Sequence, residues 1–180
     1  KKEILLSRDY VGQKPLFYTK NDNYYIFSSQ LNGITLDKNS STKVSKKNLK
    51  KYFTYSFIPA PHTLYENIYQ VEPGENILIN LQNLNINKKK YWDLKNGADY
   101  NTFFNKISES QFKQQFKEII QQHSIADKLP ALSLSGGIDS YIVMDYFTKL
   151  QKNCSSFTLG FENKSFDEAK YVKKIEKKLN

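Results

Sequence analysis

The residues best placed to do chemistry are Ser135-Gly136-Gly137-Ile138-Asp139-Ser140. They stand between an apolar run, Ala131-Leu132-Ser133-Leu134, and a helical pattern that opens at Ile138. Paired glycines let a backbone turn sharply and approach a ligand with no Cβ in the way. A helix that starts there offers unpaired N–H groups and a partial positive charge. Together these make a cradle for a phosphate or pyrophosphate, to which Ser135 and Ser140 add hydroxyl donors. Asp139 would repel a bare anion, so its presence points to Mg²⁺ bridging it to the phosphates. The loop is neither Gly-x-x-x-x-Gly-Lys-Ser/Thr nor Gly-x-Gly-x-x-Gly, and it lacks the Gly-x-Ser-x-Gly of a nucleophile elbow.

Such a loop needs a strand to deliver it and a helix to receive it. Ser108-Glu109-Ser110-Gln111 has capping-box spacing, and Phe112, Phe116, Ile119 and Ile120 then recur at helical spacing. Pro130 is expected to end that helix. Ala131–Leu134 reads as a strand, and Ile138, Ile142, Tyr146 and Leu150 mark the next helix. Phe157-Thr158-Leu159-Gly160-Phe161 reads as a second strand. Ser165-Phe166-Asp167-Glu168 has capping-box spacing before a helix carrying Val172, Ile175 and Leu179. This alternation predicts βαβ units and a parallel sheet.

Residues 1–95 read as β-rich instead. Strands are expected at Ile4–Arg8, Pro15–Tyr18, Tyr24–Ser28, Asn76–Leu81 and Lys90–Trp92, with turns at Val11–Lys14, Asn21–Asn23 and Pro73-Gly74. Asp37–Lys47 reads as a polar loop. Ser45 is positioned to cap a short helix through Phe53, with Leu49 and Phe53 on one face. Ile58-Pro59-Ala60-Pro61-His62 cannot be helix interior. The fold class is therefore α+β, then α/β, with a linker at residues 96–107 and a second domain at 108–180.

Composition narrows the function classes. The 180 residues are 39% hydrophobic and 25% charged, so a packed core is expected. No apolar run approaches the ~20 residues that span a bilayer, and Lys1-Lys2-Glu3-Ile4 does not open a signal-peptide pattern. A single cysteine, Cys154, excludes a disulfide framework and fits a reducing, cytoplasmic setting. The net charge is +9, but Arg8 is the sole arginine, and the lysines read as a solvated face rather than a nucleic-acid surface. The chain begins without Met and stops inside a helical pattern, so a piece of a longer protein is expected. Plain structural roles are assigned to several other residues. Cys154 and Trp92 are expected in the core, and His62 and His123 in ordinary hydrogen bonds. Asp167 and Glu168 are expected as helix caps, and Arg8 with Asp9 as a pair within a hairpin.

Ser-Gly-Gly-Ile-Asp-Ser after an apolar strand resembles the pyrophosphate loop of the N-type ATP pyrophosphatases. Further segments resemble the glutamine-hydrolysing asparagine synthetases: Arg8-Asp9-Tyr10-Val11-Gly12-Gln13-Lys14-Pro15-Leu16-Phe17-Tyr18, Phe27-Ser28-Ser29-Gln30, Ile58-Pro59-Ala60-Pro61-His62-Thr63, Val71-Glu72-Pro73-Gly74 and Lys90-Tyr91-Trp92-Asp93. Asp127, Phe157–Phe161 and Asp167-Glu168-Ala169 continue the match, while Tyr10, Gln30 and Tyr141 depart from it. The resemblance implies the β-rich end of an N-terminal-nucleophile glutaminase domain, followed by the first βαβ units of an adenine-nucleotide alpha-hydrolase-like synthetase domain. It implies ATP and Mg²⁺ as cofactors, and glutamine and aspartate as small-molecule substrates. No nucleic acid or membrane partner is implied, and homodimerisation is left open. Ser135, Gly136, Gly137 and Ser140 would bind pyrophosphate, Asp139 would hold Mg²⁺, and Ser133 and Leu159 would flank the adenosine. The glutaminase nucleophile of such enzymes is an N-terminal cysteine. Lys1 is not that residue, so no catalytic residue is assigned and the chain alone is expected to hydrolyse no glutamine. Another carboxylate acceptor, or an ATP-binding paralogue without catalysis, stays open.

Overall fold

The computed structural model describes residues 2–94, 107–151, 154–165 and 167–179. The chain divides into two compact units, Lys1–Thr102 and Phe103–Asn180. The expected linker at residues 96–107 lies, but for Ile107, outside the described residues.

The first unit holds two three-stranded antiparallel sheets. In one, β5 (Glu75–Asn80) lies between β1 (Glu3–Ser7) and β6 (Ile86–Lys90). In the other, β2 (Phe17–Lys20) lies between β3 (Tyr25–Ser28) and β4 (Ile68–Gln70). Along β5 the side chains alternate, so Ile77 and Ile79 are buried while Leu78 faces out. They join Leu6, Tyr18 and Val71 in one apolar core, with Ile4, Leu16 and Tyr25 packed against it. Strand β6 falls earlier than the expected Lys90–Trp92. Its five residues are all exposed, and pairing with Glu75–Ile79 rather than apolar content sets its place. Trp92 is half-buried rather than core, and meets Tyr10 edge-on at 5.4 Å.

Two short elements carry no clear sequence signal. Helix α1 (Leu31–Thr35) has five residues, including the poor helix formers Gly33 and Thr35, and it buries Ile34 completely. Strand β4 has three residues, held by pairing with Phe17–Thr19. Helix α2 (Lys46–Tyr55) is capped as expected, with Asn48 N–H donating to Ser45 Oγ at 3.4 Å. It ends where Ser56 turns left-handed, at φ 63°. Phe53 is 78% exposed, so it does not share a buried face with Leu49. Lys88 differs from its neighbours on β6. Its ammonium donates to the Tyr18 hydroxyl and lies 5.1 Å from that ring's centroid, tying β6 to β2.

Arg8 and Asp9 act on backbone instead of pairing with each other. The buried Arg8 guanidinium donates to the carbonyls of Lys14 (2.9 Å), Val71 (2.7 Å) and Gly12 (2.8 Å). Burial pushes its pKa down, against a smaller opposing pull from Asp9. The Asp9 carboxylate accepts N–H bonds from Gln13 (2.8 Å) and Lys14 (3.1 Å), and these hold its pKa below the ordinary 3.8. A carboxyl depressed in the folded state stabilises above its unfolded pKa, and that contribution disappears as pH falls through the folded value. The urea midpoint of this chain is therefore expected to fall more between about pH 5 and pH 3 than that of Asp9→Asn. Equal pH dependence of the two would remove Asp9 as a source of acid sensitivity.

The second unit runs α3 (Glu109–His123), β7 (Ala131–Ser133), α4 (Ile138–Leu150), β8 (Ser155–Phe157) and α5 (Ala169–Leu179). The capping box at α3 forms as expected: Gln111 N–H donates to Ser108 Oγ at 3.2 Å, and Ser108 N–H donates to Gln111 Oε1 at 2.9 Å. Helix α3 ends at His123, well before Pro130; the Ser124 N–H closes it on Ile120 O at 3.0 Å. Of its apolar residues, Phe116 meets Tyr146 edge-on at 5.0 Å and Ile120 is buried, while Phe112 and Ile119 stay exposed. β7 and β8 pair in parallel around α4, in register from Ala131↔Ser155 to Ser133↔Phe157. β8 thus starts before the expected Phe157, immediately after a half-buried Cys154. The buried face of α4 is Met144 and Phe147 rather than the Ile138 series, and Ile138 is 73% exposed. Leu134, Met144 and Val172 form the core, with Leu132 and Tyr141 against it.

Candidate functional site

β7 ends at Ser133, Leu134 is buried beside Met144, and the chain then turns through Ser135-Gly136-Gly137 into α4. The loop therefore stands at the carboxyl end of a parallel strand, where open α/β sheets bind ligands. Gly137 is the N-cap of α4, at φ −87° and ψ 157°, and no side chain caps the helix. The first N–H groups of α4 lack intrahelical acceptors.

The two serines hold each other. Ser135 Oγ and Ser140 Oγ are 2.9 Å apart, and Ser135 N–H donates to Ser140 Oγ at 3.2 Å. Gly137 N–H donates to Ser135 Oγ at 3.3 Å. The loop is thus shaped by its own hydroxyls. A Cβ at Gly136 would sit 3.2 Å from Tyr171 Cβ on α5, so close packing, not a left-handed φ, calls for glycine there.

Glu168 is the second acidic residue of the site, a role the sequence ranks behind helix capping. Glu168 Oε2 accepts the Gly136 N–H at 3.0 Å. Ser165 and Glu168 therefore do not build the expected capping box. Asp167 takes the helix-end role, its Oδ1 accepting Ala169 N–H at 3.1 Å. An Asp-Glu pair before a helix gives no sign of which carboxylate turns inward. That choice depends on α5 packing beside a loop 32 residues earlier.

The expected residues come together unevenly. Ser135, Gly136, Gly137 and Ser140 form one hydrogen-bonded turn. Asp139 lies in the first turn of α4, exposed, and among the described residues nothing engages its carboxylate. Ser133 closes β7, and Leu159 follows β8, 73% exposed. The donor set fits what the loop's chemistry implies. Gly136 already holds an anionic oxygen on its N–H, as it would hold a phosphate oxygen. Mg²⁺ takes one or two carboxylates plus phosphate oxygens and water, which suits a free Asp139 carboxylate. No group of three or more His, Cys, Asp or Glu side chains gathers for a metal among the described residues. His62 joins Tyr69 in an isolated β-bridge, and His123 Nδ1 lies 2.9 Å from Ile119 O. An apolar cavity of about 530 Å³ belongs to the first unit, where Phe17, Leu49, Tyr52 and Phe57 line it.

Two family models match this chain. One, described as a glutamine amidotransferase domain, covers residues 1–92. The other, described as asparagine synthase, covers residues 111–180 and so takes in the whole loop. The chain belongs to the glutamine-hydrolysing asparagine synthetase family. A protein of Methanocaldococcus jannaschii, assigned as such a synthetase, is 35% identical over 94% of this chain and 33% of its own length. Asparagine synthetase 1 of Bacillus subtilis is 28% identical over 93% of this chain and 26% of its own. Asparagine synthetase 3 of the same organism is 25% identical over 76% of this chain. The chain thus spans about a third or less of these synthetases. It pairs the antiparallel sheets of the amidotransferase part with the small parallel sheet of the synthetase part. No described helix is long and apolar enough to cross a membrane.

Proposed function

We propose that the full-length protein is a cytoplasmic enzyme that makes asparagine from aspartate with ATP and glutamine. The observation that carries this reading is the Gly136 N–H on a carboxylate oxygen at 3.0 Å, at the mouth of a Ser-Gly-Gly-x-Asp-Ser turn. A turn that holds an anionic oxygen in this way suits the pyrophosphate end of ATP. On this reading Ser135, Gly136, Gly137 and Ser140 bind the β- and γ-phosphates, and Ser133 and Leu159 flank the adenosine. Asp139 holds Mg²⁺, which when bound would neutralise charge on the leaving pyrophosphate.

An oxygen of the aspartate side-chain carboxylate attacks the α-phosphorus. The bond from that phosphorus to the bridging oxygen breaks, and pyrophosphate leaves. Ammonia then attacks the acyl carbon and AMP departs. The loop's own work is to keep the departing phosphates oriented and their charge stabilised through fixed N–H and hydroxyl donors. On this reading the first unit belongs to the domain that supplies ammonia from glutamine.

The test is pyrophosphate release by the full-length protein with Mg-ATP, ammonia and a panel of carboxylates. Release that requires aspartate is the expected result. Release with another acid alone would replace aspartate as acceptor, and ATP binding with no release would mark a non-catalytic paralogue.

A further inference from the structure

We propose that Glu168 sets the loop's preference for a metal-complexed over a bare polyphosphate, by holding the Gly136 amide as an internal anion. This rests on the loop being the polyphosphate seat. Glu168 is exposed, but the segment that carries it is held in place. Its backbone is fixed on both sides: Asp167 closes on Ala169 N–H, and Val172 is buried in the core of the unit. Tyr171 lies so close to the loop that a Cβ on Gly136 would stand 3.3 Å from its ring. The segment from Asp167 to Val172 therefore brings one negative charge to the amide that a phosphate oxygen would take.

An arriving polyphosphate meets two carboxylates, Glu168 on the amide and Asp139 in the first turn of α4. The one lysine between Asp167 and Val172, Lys170, has its ammonium 4.9 Å from the centroid of the Tyr171 ring. A bare polyanion must displace Glu168 and then lie beside it, at a repulsive cost. With a divalent cation between them, the same carboxylate becomes attractive and can move off the amide at little loss. Glu168 thus penalises the metal-free ligand selectively, and the gate is a specificity element of the site.

The experiment titrates pyrophosphate in EDTA, and Mg-ATP, into full-length native protein, Glu168→Gln and Glu168→Ala. Glutamine keeps the shape and an acceptor oxygen; alanine removes both. Both variants are expected to bind metal-free pyrophosphate about tenfold more tightly, a one-charge effect at contact distance, while Mg-ATP affinity changes far less. A lower ratio of metal-bound to metal-free affinity in both variants supports the gate. An unchanged ratio, or weaker metal-free binding, overturns it while leaving the polyphosphate seat intact if native protein binds Mg-ATP. If no form binds either probe, the seat itself falls, and the gate with it. Equal thermal midpoints for native protein and Glu168→Gln exclude unfolding as the source of any change.

Discussion

Asp139→Ala in the full-length protein is expected to cut ATP-dependent pyrophosphate release by about a hundredfold or more, with the fold intact. Asp139 sits in the first turn of α4, one residue beyond the start of the helix, with nothing engaging its carboxylate among the described residues. A carboxylate there also stabilises the helix through the macrodipole, by about 0.3–1 kcal/mol. That local contribution is too small to unfold the domain, so a lost rate with a nearly unchanged thermal midpoint separates the two roles. Asp139→Asn is the companion variant. It keeps the size and polarity but not the charge that a Mg²⁺ ion needs, and it should be as impaired as alanine. A full rate in Asp139→Asn would show that the carboxylate serves the helix and not the phosphates.

Gly74→Ala is expected to destabilise the first unit by about 3 kcal/mol or more. Gly74 has φ +68°, and a Cβ there would stand 2.4 Å from the Trp92 carbonyl oxygen. The obstacle is backbone, so no rotamer change can relieve it. The same residue joins three segments. Its N–H donates to Asp9 O at 3.1 Å, and its carbonyl accepts from Tyr91 (2.8 Å) and Trp92 (3.3 Å). Moving Gly74 to make room would strain the start of β5, the end of β6 and the turn that Arg8 holds. Trp92 is the single tryptophan of the sequence, so urea unfolding followed by its fluorescence reads the site directly. A loss under about 1 kcal/mol would mean the Pro73-Gly74 turn yields more than its hydrogen bonds suggest.

Sequence and structure agree where the determining interactions are local. The Ser45 and Ser108 caps need only residues three positions away, and both form. The Ser135–Ser140 turn is local too, since five residues close it. Agreement fails where a partner far along the chain decides. β6 and β8 both shift from their expected places because their pairing with β5 and β7 sets the register, against a pull from Trp92 and Phe161 as apolar residues. Helix α4 buries Met144 against Leu134 and Val172, a choice of side that periodicity alone could not orient. Pro130 marks an end for α3 by sequence, but Ser124 ends the helix first. Glu168 was legible as an acid beside a helix, and not as a ligand of Gly136.

The mutual hold of Ser135 and Ser140 has a calorimetric consequence. Their hydroxyls are 2.9 Å apart before any ligand arrives. A phosphate oxygen entering the turn exchanges existing hydrogen bonds for new ones, and so releases little heat from the hydroxyls themselves. The turn is already ordered, so little conformational freedom is lost on binding. Association at this loop should therefore draw its free energy mainly from solvent and counter-ions released around the charged groups, giving a binding heat that is small and varies with ionic strength.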